Sequence, residues 1–369
     1  MNQIQQTTDL ILGWSFALSA VLGVLMQRTR FCAMGALADV MTTGSTLRLR
    51  QWALAAGVAV LGFGVLAASG WVRVADSMYA ASRWAWLSAL VGGGLFGVGM
   101  VLASGCGAKT LVRMGSGSLK ALVVFLVMGL ATYATLRGIT GVLRASTVDR
   151  VFVEFSGPAI AGQWLSAAGG WTLPQGLMGA ALLAGVPMLG WALMGKGFIN
   201  ADNLWAGLGV GAVVVGMWWV SGVLAYVSEH PETLEPAYLA TRTGRIEMLT
   251  FTAPLAYSLE WLLLFSDRSL HLGVGVASVL GMVVGAALSA LWRREFRWEG
   301  FATTQELVHH LLGGALMGVG GVTALGCTVG QGLSGLSTLS LTSLTAVAGI
   351  VGGAVLALQY QYRKLERAA

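Results

Sequence analysis

Gly92 to Cys106 reads GGGLFGVGMVLASGC, and Gly313 to Cys327 reads GGALMGVGGVTALGC. Ten of these fifteen positions are identical, among them Gly92/Gly313, Gly99/Gly320, Ala103/Ala324, Gly105/Gly326 and Cys106/Cys327. Each copy is an apolar run with glycines at small-xxx-small spacing, closed by a Gly-Cys pair. Chance likeness between two glycine-rich helices accounts for part of the identity, but it does not also bring the cysteines into line. The stretch therefore reads as one copy of a duplicated membrane helix that packs closely and then breaks at a thiol.

The whole chain agrees. Its 369 residues are 56% hydrophobic and 10% charged, against about 25% charged in an ordinary soluble domain. That composition excludes a soluble enzyme, a disordered tail and a nucleic-acid binder. It predicts an all-α integral membrane protein in contact with lipid. The net charge of +6 then reports orientation more than partners, because cytoplasmic loops collect Lys and Arg. The 53 glycines are roughly twice the usual share of about 7%. The three cysteines are too few and too odd in number for a disulfide framework. Met1 to Asp9 has no basic n-region and no small-residue cleavage pattern, so no cleaved signal peptide is expected.

A spanning helix needs about 20 mostly apolar residues. Nine stretches qualify, near 9–26, 52–70, 85–103, 119–136, 174–193, 205–227, 271–291, 307–325 and 342–360. Phe31 to Thr43 is apolar but too short to cross and suits a re-entrant segment. The stretch 253–266, interrupted by Glu260, leaves a tenth span open. Nine spans put fourteen of the 22 basic residues on one face of the membrane, the N-terminus outside and the C-terminus inside. The expected organisation is a first half, 1–150, with its re-entrant segment 31–43, and a second half, 151–369. The second half carries an extracytoplasmic loop, 228–252, rich in Glu229, Glu232, Glu235 and Glu247. The repeat copies are the third and eighth spans, so they cross in opposite directions, as in inverted-repeat transporters whose substrate site lies between the halves. Earlier in the chain, Leu22-Gly23 and Phe31 pair weakly with Leu189-Gly190 and Phe198, a register that sets Cys32 against Ile199.

Cys32, Cys106 and Cys327 each end an apolar segment beside Gly or Arg. A single buried cysteine is commonly a small hydrophobe, but three in matching settings point to a lined pathway. No CxxC spacing supports a metal site, and no resolving cysteine lies nearby in sequence for thiol exchange. No cofactor is expected. Lys109 and Arg113 follow Cys106, while Arg28 and Arg30 precede Cys32. These cations either draw an anion towards the thiols or snorkel to the interface. Gly105, Gly107, Gly326 and Gly330 let backbone approach a ligand, and Lys109 and Thr328 supply donors beside them. No GxxxxGK[ST] phosphate loop is present, so any transport is passive, gradient-driven or driven by trapping.

RTRFCAMGALADV (Arg28 to Val40), ASGCGAKTLVRMGSGSLKAL (Ala103 to Leu122) and ALGCTVGQGLSGLS (Ala324 to Ser337) resemble the three cysteine motifs of the YeeE/YedE family of bacterial inner-membrane sulfur transporters. The resemblance runs from the first span to the last. It implies thiosulfate uptake through a compact hourglass of inverted halves with short re-entrant helices. It also implies substrate contact at Cys32, Cys106 and Cys327, and delivery to a cytoplasmic sulfur carrier of the TusA type. Three alternatives stand beside it: a covalent sulfane-sulfur relay along the thiols, a selenium substrate, and a channel for another small anion in which the cysteines only pack.

Overall fold

In a computed structural model that describes residues 2–230, 234–267 and 270–367, the chain is helical almost throughout. Glu232, part of the expected acidic loop, lies outside the described residues. The first six helices are α1 (Asn2–Thr29), α2 (Ala33–Thr43), α3 (Leu47–Ala68), α4 (Trp86–Leu102), α5 (Gly107–Gly115) and α6 (Leu119–Arg137). Next come α7 (Ile139–Ser146), α8 (Ala161–Gly169) and α9 (Leu173–Leu193). A continuous segment, Ala201–Leu224, holds α10 (Ala201–Leu204) and α11 (Val210–Trp219), joined and ended by π turns. The last four helices are α12 (Ala253–Leu263), α13 (Val274–Trp292), α14 (Thr304–Thr323) and α15 (Leu341–Glu366). Two two-residue strand pairs, Arg83–Trp84 with Val153–Glu154 and Tyr226–Val227 with Ala237–Tyr238, tie the loops together.

Eight of these segments are long and apolar enough to cross a membrane. The ninth expected span is α14, which has 20 residues but carries Glu306, His309 and His310 in its first two turns. Thr303 starts it, its hydroxyl accepting from Glu306 N at 3.1 Å, a standard helix cap. The stretch 253–266 is not a tenth span. It holds α12, whose 11 residues reach only about 16 Å of a hydrocarbon core of about 30 Å.

The two repeat helices pack directly on each other. A Cβ at Gly99 would lie 2.7 Å from Gly313 O, and one at Gly320 2.6 Å from Gly92 O. A Cβ at Gly313 would lie 2.6 Å from Ala103 N, and Gly92 abuts Ala324 in the same way. Rising numbers on α4 meet falling numbers on α14, so the pair is antiparallel. The sequence offset between the copies converts Gly99 into Gly320 and Gly313 into Gly92, so each contact is the image of the other. That is the signature of a two-fold axis, and it makes the repeat inverted. Only glycine permits it, because at these four positions the facing atoms are backbone.

The same relation extends outward. Gly97 of α4 rests on Ile350 and Ala354 of α15, and its repeat mate Gly318 of α14 rests on Met128, Ala131 and Thr132 of α6. Gly281 and Gly285 of α13 lie along Phe16 and Ala20 of α1. The matching pair is α3 with 201–224, where Gly62 meets Val215 and Gly211 meets Val58. So α1 corresponds to 201–224, α3 to α13, α4 to α14 and α6 to α15, which makes α2 the counterpart of α12. Helices α7 to α9 have no mate, and α9 packs on α3 through Gly57, Gly64 and Gly185.

This pairing corrects the register expected for the start of each half. Gly23 abuts the backbone of α13 at Met282 and Ala286, whereas Gly190 meets nothing within 4 Å and Ile199 is 70% exposed. The weak likeness of Leu22-Gly23 to Leu189-Gly190 joined α1 to α9, a helix outside the repeat. The true counterpart of Phe31-Cys32, which opens α2, is Phe251-Thr252, which opens α12. Thr252 rather than Ile199 stands opposite Cys32.

Candidate functional site

Both α4 and α14 stop in the same turn. Ser104 (φ 57°) and Leu325 (φ 58°), equivalent in the repeat, take the left-handed conformation. Gly105 N then donates to Met100 O at 2.8 Å, and Gly326 N to Gly321 O at 2.7 Å, the bond pattern of a Schellman end. The turn delivers Cys106 and Cys327 to the start of a second, shorter helical piece: α5 after Cys106, and residues 328–338 after Cys327.

Every cysteine in the chain starts a short helix in this manner. Cys32 is the N-cap of α2 and Cys106 the N-cap of α5. Cys32 Sγ accepts from Gly35 N at 3.5 Å, and Cys327 Sγ from Gly330 N at 3.4 Å, the same i, i+3 reach in both. Thr252 holds the N-cap position of the fourth short helix, α12, without a side-chain capping bond. A helix N-terminus carries unpaired N–H groups and a partial positive charge of about half a unit, so these ends suit an anion.

The four ends meet. Cys32 and Cys106 lie close enough to act on each other electrostatically, and Thr328 is close to Cys106. Cys327 Sγ accepts from Phe251 N at 3.2 Å, which joins the second α12 end to the 328–338 segment. A Cβ on Gly107 would lie 2.7 Å from Phe251 O, so α5 and α12 touch there as well. All three thiols are free, and Cys32, Cys106 and Cys327 are 6%, 1% and 0% exposed. The centre is closed to solvent. Among the described residues, no three His, Cys, Asp or Glu side chains come together as a metal site.

The glycines expected to admit a ligand have protein against them. Gly107 faces Phe251 and Met128, Gly330 faces Thr250, with a Cβ there 2.6 Å from Thr250 Oγ1, Gly326 faces Gln331 and Gly105 faces the stem of Lys109. The cations divide. Lys109 lies within electrostatic reach of Cys32, Cys106, Arg113 and Arg48. Arg28 instead pairs with Asp202 at 3.6 Å, half exposed. Sequence reading missed Arg48, whose guanidinium sits over Gly35 beside Cys32 and bonds Asp39 at 3.2 Å. It also missed Tyr79, near Cys327, and Gln331. Only the fold brings these three to the thiols, although the position of Arg48 at the head of an apolar run was a usable hint.

Polar groups without partners gather around the thiols. Tyr79 Oη, Thr252 Oγ1, Thr328 Oγ1 and Gln331 Oε1 are buried without a well-formed hydrogen bond, Tyr79 lying near Ser334 and Thr328 near Cys106. Buried groups of this kind cost about 1–3 kcal/mol each, and a native protein keeps them where something else will use them. At the edge of the bundle the charges are satisfied. Glu299 bonds Lys120 at 3.1 Å and Arg113 at 3.6 Å. Its carboxyl is held below the usual carboxylate range by the Lys120 hydrogen bond and by Arg113.

Inverted membrane halves that meet at half-helix ends around a closed centre define a multi-pass transport protein rather than an enzyme. Residues 28–356 match the model of the Sulphur transport family. The chain belongs to that family, and it is a multi-pass inner-membrane protein. It is 29% identical over 326 residues to the thiosulfate transporter TsuA of Escherichia coli, a match covering 85% of this chain and 84% of that one. It is 24% identical over 339 residues to the thiosulfate transporter TsuA of Spirochaeta thermophila, covering 89% and 90%.

Proposed function

We propose that the protein takes up thiosulfate across the bacterial inner membrane along a path through Cys327, Cys106 and Cys32 in that order. The observation that carries this reading is the convergence of four short-helix N-termini, three of them starting at a cysteine, with unpartnered hydroxyls beside them. The N-terminus is outside and the loop 228–252 extracytoplasmic. Cys327, next to Thr250 and Tyr79 from the loops at that end, is then the outer thiol. Cys32, next to Lys109 and Arg48, is the inner one.

The physics suits a small anion that must enter and leave. A neutral thiol is a weak S–H donor, so each cysteine holds a sulfur or oxygen atom without trapping it, and successive weak sites permit passage. The short-helix dipoles supply favourable potential without a fixed counter-ion. Lys109, with Arg48 and Arg113 near it, draws the anion to the inner end, where a TusA-type carrier receives the sulfur.

The test is thiosulfate-dependent growth and uptake with Cys106→Ala and Cys327→Ala. Both variants are expected to insert at normal levels and to lose uptake, and normal growth of both would reject the proposal. The nearness of Cys32 to Cys106 also fits a covalent relay, which would leave a persulfide on a thiol. Intact-protein mass spectrometry during uptake is expected to find all three thiols unmodified.

A further inference from the structure

We propose that Thr252 is the fourth substrate-contacting position, the hydroxyl member of a four-residue ring whose other members are Cys32, Cys106 and Cys327. The inference rests on the transport reading above and extends it to a residue that no motif marks. The two-fold relation pairs Cys106 with Cys327 and leaves Cys32 with Thr252. The residue before each is phenylalanine, Phe31 and Phe251, and both phenylalanines are fully buried. Each of the two holds the N-cap position of a short helix of 11 residues. The amide next to Thr252, that of Phe251, donates to the Cys327 thiol at 3.2 Å.

A second observation is independent of the symmetry. Thr252 is 1% exposed, and its Oγ1 has no hydrogen-bond partner. As an N-cap its side chain would ordinarily bond the N–H two or three residues on, yet no such bond forms. The side chain packs on the backbone of α14 at Gly321, where a Cβ would lie 2.6 Å from Thr252 Cγ2 and 2.7 Å from Thr252 Oγ1. Gly321 offers the hydroxyl no hydrogen-bond partner, so its donor stays unused within the protein.

A hydroxyl is a stronger donor than a thiol. A ring of three thiols and one hydroxyl is therefore asymmetric, with one position suited to an oxygen of the substrate and the others suited to softer contact. The class of substrate it fits is a small oxoanion that also presents a terminal sulfur.

The experiment compares uptake of radiolabelled thiosulfate by wild type, Thr252→Val, Thr252→Ser, Thr252→Cys and Cys106→Ala, at matched amounts of inserted protein. Thr252→Val keeps the shape and removes the donor, and it is expected to lower uptake about tenfold, the value of one hydrogen bond to a charged group. Thr252→Ser and Thr252→Cys, which keep a donor, are expected to stay within about threefold of wild type on the same scale. Thiosulfate is also expected to slow alkylation of the thiol introduced by Thr252→Cys, a readout that a purely structural role would not move. Wild-type uptake by Thr252→Val beside a dead Cys106→Ala overturns this inference and leaves the transport reading standing. Equal losses in Thr252→Val and Thr252→Ser, or no protection from alkylation, also overturn it. A wild type that carries no thiosulfate overturns the transport reading, and this inference falls with it.

Discussion

The crossing of α4 and α14 sets a strict limit on side-chain size, and Gly313→Ala tests it. A methyl group there would lie 2.6 Å from Ala103 N and 2.7 Å from Gly99 O, about 0.7 Å or more inside the 3.4 Å at which ordinary contact begins. Both obstacles are backbone, so no rotamer change relieves the clash and the helices must separate. Overpacking of this kind costs about 1–3 kcal/mol, offset by up to about 1 kcal/mol because alanine favours a helix. The expected net loss is roughly 1 kcal/mol, and close van der Waals packing is what holds these helices together. Gly92→Ala presses on Thr323 C at 2.7 Å and Gly320 O at 2.8 Å, so the two-fold relation predicts a loss of similar size. Gly94→Ala is the control: it lies on the same helix with nothing within 4 Å and is expected to be neutral or stabilising. Thermal unfolding in detergent followed by size-exclusion fluorescence reads the stability, and thiosulfate uptake reads the displacement of Cys106 and Cys327, which these helices carry. If Gly313→Ala unfolds at the wild-type temperature, or Gly94→Ala does equal damage, the packing argument is wrong.

Other outcomes follow from groups away from the thiols. Arg242 and Glu260 form an ion pair with side chains 18% and 8% exposed. Arg242→Leu strands the carboxylate, and a loss of about 3–5 kcal/mol is expected, read as a fall in unfolding temperature that Arg242→Lys partly restores. Burial pushes the carboxyl of Glu247 above the usual carboxylate range. A raised folded pKa means that its stabilising contribution is complete below the pKa of the unfolded chain and is lost as pH rises through the folded pKa. Glu247→Gln is therefore expected to flatten the decline in stability on the alkaline side of pH 4.5, measured as unfolding temperature against pH. An unchanged profile would show that Glu247 does not control it.

Much of the design is written locally. The Gly-Cys ends of the two copies, with glycines at close spacing, require closely packed helices that break at a thiol wherever they are placed. Nine apolar stretches, α14 among them despite its polar first turns, follow from the length a bilayer demands. The re-entrant segment Phe31 to Thr43 is legible because Arg28 and Arg30 interrupt the apolar run before it. Thr252 was not legible. Threonine caps many helices, and its role depends on which helix of the other half it mirrors.

The sequence by itself determined a membrane protein with a duplicated helix and three thiols at chain breaks, because apolarity, glycine spacing and identity over fifteen residues are local properties. Tertiary structure decided which helices are mates. The likeness of α1 to α9 is a resemblance of composition, whereas the match of α1 to the segment 201–224 is visible only in what each touches, α13 in one case and α3 in the other. It also decided that Arg48, Tyr79 and Thr252 belong beside the cysteines. The reason is that a site made from four helix ends has no contiguous stretch of chain, and its members share a place only after the halves close around the two-fold axis.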